Sequence, residues 1–159
     1  MEHLWAPWRM EYIIGGKTGG CIFCAAAGKK PAEELVLFSG SHTLVMLNKY
    51  PYNNGHLMVA PKRHEGRLEG VSVEESLDLT RLLRHSVTVL KDAISPDGFN
   101  IGLNIGKAAG AGVIDHLHWH IVPRWEGDVN FMPVVSETKV VPEHLSDTLK
   151  KLRPYFEKI

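Results

Sequence analysis

The sequence predicts an α+β protein: an antiparallel β-sheet of about five strands, one long helix and a C-terminal helix. Short apolar runs recur between turn residues, and one uninterrupted amphipathic stretch has helical spacing. The resulting order β-β-β-α-β-β, joined by tight turns, suits antiparallel pairing better than a doubly wound parallel sheet. With 159 residues the chain is of single-domain size, enough for one core and too small for two.

The elements follow in order. Trp5 and Trp8 flank Ala6-Pro7, which is not helix chemistry, so residues 1–20 read as an arm. Gly15-Gly16 and Gly19-Gly20 bracket a loop leading to Cys21 and Cys24, and Ala25, Ala26 and Ala27 read as a short helical turn before Pro31. Buried strands are predicted over 35–38 and 43–47, separated by Ser39-Gly40-Ser41. Pro51, Asn53, Asn54 and Gly55 turn the chain into a third strand over 56–60, stopped by Pro61. Ser72-Val73-Glu74-Glu75 is a capping box, and Leu79, Leu82, Leu83, Val87, Leu90 and Ile94 repeat behind it at helical steps. That helix ends at Ser95-Pro96-Asp97-Gly98. A fourth strand is predicted over 99–104 and a fifth over 116–122, and Pro142 starts a weaker helix carrying Leu145, Leu149 and Leu152.

Eighteen Lys+Arg balance eighteen Asp+Glu, which argues against nucleic acid or a membrane surface as partner. No apolar run reaches the roughly 18 residues of a membrane span, and the first nine residues lack the apolar stretch of a secretory signal. A soluble cytoplasmic protein is expected. The two cysteines, Cys21 and Cys24, are spaced C-x-x-C, which in a reducing compartment points first to a metal, with dithiol exchange or no special role as the alternatives.

The chemistry concentrates in His116-Leu117-His118-Trp119-His120, which places three of the nine histidines at every second position. On a strand, all three imidazoles share one face, about 6–7 Å apart, while Leu117 and Trp119 take the other. Imidazole can act as nucleophile, proton donor or metal ligand, so a solvated strand face, a metal centre and a catalytic site are all open readings. Immediately upstream, Asn104 to Gly112 is rich in glycine, and such backbone can turn successive N–H groups inward on an anion. Nucleotidyl transfer needs a nucleophile, donors for oxyanion charge and an acid for the leaving group, and imidazoles with amides supply all three.

The run His116-Leu117-His118-Trp119-His120-Ile121-Val122 resembles the H-φ-H-φ-H-φ-φ signature of the histidine triad (HIT) superfamily of nucleotide hydrolases and transferases. Leu47-Asn48, the stretch from Gly55-His56 through Pro61 to His64, and Val122-Pro123-Arg124 fall where that family places them. The resemblance spans residues 21–125, with 126–159 as a C-terminal extension of one HIT domain. The flanks around Trp5 to Tyr12 and Trp125 to Pro133 are similar to the bacterial subgroup that includes diadenosine tetraphosphate phosphorylases.

The resemblance implies a HIT-like fold and a homodimer, each protomer with its own pocket for an adenine nucleotide. His118 would be the nucleophile and His120 would contact phosphate oxygens, with His116 completing the triad. Asn48 would meet the ribose hydroxyls, and Met46 and Met58 would flank the base, ordinary core filling being the alternative. Asn104 and the amides of Gly110, Ala111 and Gly112 are the oxyanion candidates. The family's structural zinc maps onto Cys21, Cys24, His64 and His116, with His56 as the alternative nitrogen ligand or as a residue orienting His116. Many members carry a Gln-Ser or Gln-Thr pair shortly before the triad; Gly112-Val113-Ile114-Asp115 offers no such hydroxyl. Trp5 and Trp8 are candidates to cover the pocket or pack at the dimer interface, and His3, His42, His85 and His144 read as surface residues. The function expected is cleavage at the α-phosphate of an adenine-containing dinucleoside polyphosphate or nucleoside phosphoramidate. An AMP-binding signalling module and a metalloenzyme using the whole triad are the alternatives.

Overall fold

The computed structural model describes residues 20–29, 35–128 and 143–157. Trp5, Trp8 and Pro142 lie outside these residues. The sheet has five strands: β1 (Val36–Ser39), β2 (Thr43–Leu47), β3 (Leu57–Pro61), β4 (Gly98–Leu103) and β5 (Trp119–Arg124). Their spatial order is β1-β2-β3-β5-β4, with every neighbouring pair antiparallel. Among the described residues three α-helices flank the sheet: α1 (Ile22–Ala27), α2 (Val73–Ile94) and α3 (Leu145–Phe156).

Alternation along the strands builds two cores. Val45, Leu47, Leu57, Val59 and Ile121 face one side of the sheet and pack against Leu79, Leu82, Val89 and Leu90 of α2 and Leu152 and Phe156 of α3. Fully burying side chains such as Leu82 and Leu90, both 0% exposed, contributes about 1.5–3 kcal/mol each. On the opposite face Val36, Leu44, Met46, Met58 and Ala60 pack against Phe23 and Ala26 of α1. The predicted capping box is formed: Ser72 Oγ accepts the Glu75 N–H while the Glu75 carboxylate accepts the Ser72 N–H. Gly55, at φ +71°, brings the turn before β3 against α2, where a Cβ would stand 2.6 Å from Ile94 Cδ1.

The fifth strand departs from prediction. It begins at Trp119, so His116, Leu117 and His118 approach the sheet before the ladder starts. Trp119 pairs with Val59, and continuing that register would bring Leu117 opposite Pro61, which has no N–H to donate. The Leu117 N–H instead bonds the carbonyl of Glu65 at 2.8 Å, and the Pro61 carbonyl is taken by the His116 ring. Gly66 makes this junction possible, since a Cβ there would sit 3.0 Å from the backbone of Asp115.

Candidate active site

Met46, Met58, His120 and Gly102 stand side by side across β2, β3, β5 and β4. His120 therefore lies on the sheet face that carries Phe23, and the Phe23 ring also meets His116 and His118. The expected common face for the three histidines is present, but each ring is held by different partners, and those partners decide its chemistry.

The His116 ring is fully buried, and its Nε2–H donates to the Pro61 carbonyl at 2.8 Å. A carbonyl only accepts, so the proton sits on Nε2 and Nδ1 carries a lone pair. That nitrogen lies 3.2 Å from Cys21 Sγ, 3.6 Å from Cys24 Sγ and 3.3 Å from His64 Nδ1. Cys24 Sγ is also 3.2 Å from His64 Nδ1, and all four ligand atoms fall within 4.8 Å of one another. Tetrahedral zinc, with Zn–N of about 2.0–2.1 Å and Zn–S of about 2.3 Å, sets its ligands roughly 3.3–3.8 Å apart. Two sulfurs and two nitrogens at this spacing can hold such an ion, and the bond to Pro61 orients the His116 ligand from outside. His64 is carried there by the loop after β3, which Arg63 anchors through Glu75 on α2, Glu65 and the Gly70 carbonyl.

His118 is 4% exposed, and its Nδ1–H donates to the main-chain carbonyl of His116 at 2.9 Å. By the same logic Nε2 is bare. Burial pulls its pKa below the ordinary histidine value, against the opposing pull of that carbonyl bond, so the ring is neutral at pH 7. A neutral imidazole with one nitrogen tethered and the other unprotonated is a nucleophile.

His120 belongs to a third chain of contacts. The Tyr52 N–H donates to His56 Nδ1 at 3.0 Å, so His56 carries its proton on Nε2 and donates it to His120 Nδ1 at 2.9 Å. His120 therefore presents Nε2–H as a hydrogen-bond donor. Burial, helped by the neighbouring His118, pushes its pKa down to about 4, which keeps it neutral. The Tyr52 ring covers this pair, 4.8 Å from His56 and 5.9 Å from His120. His56 thus partners His120 rather than the expected His116, and it stands outside the four-residue metal group. His118 and His120 also stand outside it, so among the described residues the triad is not gathered around one ion.

The remaining expected site residues are placed as follows. Met46 and Met58 are 7% and 5% exposed, packed in the core beside His120. Asn48 accepts the Tyr50 N–H at 2.9 Å and reaches His56 Nδ1 at 3.5 Å. Leu103 pairs with Trp119, so the next residue, Asn104, follows β4 level with His118. In the glycine-rich loop Gly110 N–H donates to the Lys107 carbonyl and Ala111 N–H to the Gly106 carbonyl. Of the three proposed amides only that of Gly112 has no partner among the described residues.

Sequence reading missed three contributors: Phe23, Tyr52 and Gly102. Phe23 is marked in the sequence only as an apolar residue inside C-x-x-C, and Tyr52 contributes a backbone N–H as well as its ring, the former of which no residue type signals. Gly102 pairs with His120 across the ladder, and a Cβ there would meet nothing within 4 Å, so the face beside His120 is open toward β4.

The HIT domain family model matches residues 29–127. The chain belongs to the HIT family. An AP-4-A phosphorylase of Mycobacterium tuberculosis is 38% identical over 161 aligned residues, covering 96% of this chain and 83% of the relative. Among solved structures, a hypothetical histidine triad nucleotide-binding protein of Sulfolobus tokodaii superposes with a TM-score of 0.69 at 30% identity, covering 87% of this HIT chain and 93% of that one. A zinc-bound histidine triad family protein of Mycobacterium smegmatis gives 0.68 at 23% identity, covering 87% and 94%; at that identity it speaks for the fold alone.

Proposed function

We propose that this HIT protein is a nucleotide hydrolase or nucleotidyltransferase that cleaves at the α-phosphate of an adenine-containing dinucleoside polyphosphate or nucleoside phosphoramidate. The observation that carries the reading is His118: buried, neutral, tethered through Nδ1 and bare at Nε2, beside a ring that presents N–H. The likeness to a relative named AP-4-A phosphorylase over 96% of the chain supports the substrate class.

The His118 Nε2 lone pair forms a bond to the α-phosphorus, and the bond from that phosphorus to the bridging atom breaks with its electron pair leaving on the departing phosphate. His120 Nε2–H faces a non-bridging oxygen as charge gathers there, joined by Asn104 and the Gly112 amide. Water or inorganic phosphate then attacks the phosphorus, the N–P bond breaks and Nε2 is bare again. Asn48 takes the ribose hydroxyls, and Met46 and Met58 flank the base. No side chain in Gly112 to Asp115 offers the departing phosphate a hydroxyl.

Cys21, Cys24, His64 and His116 hold a structural zinc, which ties the N-terminal turn and the loop after β3 to the entry of the triad. The chain acts as one HIT domain, in the cytoplasm, as a homodimer. Among the described residues no helix is long and apolar enough to cross a membrane. Incubation with diadenosine tetraphosphate and, separately, with adenosine 5'-phosphoramidate tests the reading: AMP plus ATP from the first reports water as acceptor, ADP plus ATP formed only with added phosphate reports phosphorolysis, AMP from the second reports phosphoramidate cleavage, and both substrates left intact with and without phosphate remove the proposal.

A further inference from the structure

Between the two cysteines, α1 turns Ile22 outward, 48% exposed, and Phe23 inward, 0% exposed. The Phe23 ring lies 4.7 Å from the His118 ring, inclined at 30°, and 5.1 Å from the His116 ring. The hydrogen bond from Nδ1 to the His116 carbonyl sets which nitrogen of His118 is protonated, yet a single bond leaves the imidazole free to swing about it. An aromatic face stacked at this distance opposes that swing and keeps water off one side of the ring. The Nε2 lone pair lies in the ring plane, so fixing that plane fixes the line along which it can meet a phosphorus.

We propose that Phe23 is a positioning residue for the nucleophile: carried between two members of the metal group, its ring holds the His118 imidazole in the plane from which Nε2 attacks. The inference rests on the nucleotidyl-transfer reading of His118. It differs from core filling in a measurable way, because a filler could be exchanged for another large aliphatic side chain at some expense of stability and none of turnover.

The test compares wild type with Phe23→Leu, measuring zinc content, thermal unfolding, steady-state cleavage of diadenosine tetraphosphate and the imidazole nitrogen resonances. Phe23→Leu is expected to keep its zinc and its KM while kcat falls roughly ten- to a hundredfold, as for a misplaced reacting group. Its His118 resonances should shift and broaden as the ring swings, with the Nδ1–H tautomer kept by the His116 carbonyl. Unchanged kcat and resonances overturn the proposal. A raised KM with unchanged kcat also overturns it, since the ring would then serve the base rather than the nucleophile. If Phe23→Leu loses metal or fold, Phe23→Met, unbranched and of similar volume, is held to the same outcomes. A wild-type protein that cleaves nothing defeats the transfer reading itself, whereas wild-type turnover with an unaffected variant defeats only the role of Phe23.

Discussion

The main-chain carbonyl of His116 accepts the Nδ1–H of His118 at 2.9 Å. The residue whose ring faces the cysteines thereby also decides which nitrogen of its neighbour is bare. Metal group and candidate nucleophile are thus two residues apart and share one peptide unit.

Replacing His118 by Ala removes the proposed nucleophile and leaves its neighbours in place. Turnover of diadenosine tetraphosphate is expected to fall by about a thousandfold or more, with affinity for a non-cleavable analogue within a few-fold of wild type. Steady-state kinetics and calorimetric titration check this, and near wild-type turnover ends the mechanism.

His56→Phe keeps a ring in a fully buried position but deletes the N–H donated to His120 and the acceptor used by Tyr52. Each polar group left unpaired costs about 1–3 kcal/mol, so a lowered urea midpoint is expected. A drop in kcat should accompany it, because His120 no longer has a reason to keep its proton on Nε2. Stability loss without any change in kcat would reduce His56 to a structural residue.

Elemental analysis should find about one zinc per chain, with loss of metal in Cys24→Ser. Chelation is expected to lower the melting temperature, since binding to the folded state alone stabilises it. Full metal occupancy in Cys24→Ser would remove Cys24 from the ligand set.

An unfolded chain protonates His120 near the ordinary value of 6.5, whereas the folded chain does so only near about 4. Between these values unfolding takes up a proton, so stability falls as pH drops through this window and is restored above it. Urea midpoints measured from pH 7 to 4 should show the decline, and His120→Gln should flatten it. An equal slope in both proteins would assign the decline to other groups.

Glu75 joins the first turn of α2 to the loop that carries His64, accepting from the Ser72 N–H and from two nitrogens of Arg63. Arg63 beside it holds its carboxyl below the usual range, so it stays ionised at neutral pH. Glu75→Ala is expected to destabilise by about 1–3 kcal/mol, a lost cap plus an unpaired partner, and to weaken zinc affinity through a looser His64. Denaturant melts with a competing chelator measure both effects.

The strands, their antiparallel pairing and the long capped helix were legible in the chain because each rests on a local signal: near-continuous apolar runs through 43–47 and 57–60, tight turns between them, helical steps from Leu79 to Ile94, and a capping box at Ser72. The triad spacing likewise placed His116, His118 and His120 on one face, and C-x-x-C marked two members of a group that could hold a metal. What no local pattern encodes is where each imidazole keeps its proton. That depends on Pro61 for His116, on the His116 carbonyl for His118, and on Tyr52 through His56 for His120, partners supplied by the backbone or by distant segments, His56 lying 64 residues before His120. The start of β5 was misplaced for the same reason, since Pro61 stops the ladder from the neighbouring strand. The amino-acid order thus determined which rings share a face and what elements carry them. Only tertiary packing, by choosing which ring nitrogen meets a carbonyl, an amide or a thiol, decided which histidine turns a lone pair toward the cysteines, which keeps a bare Nε2 and which presents an N–H.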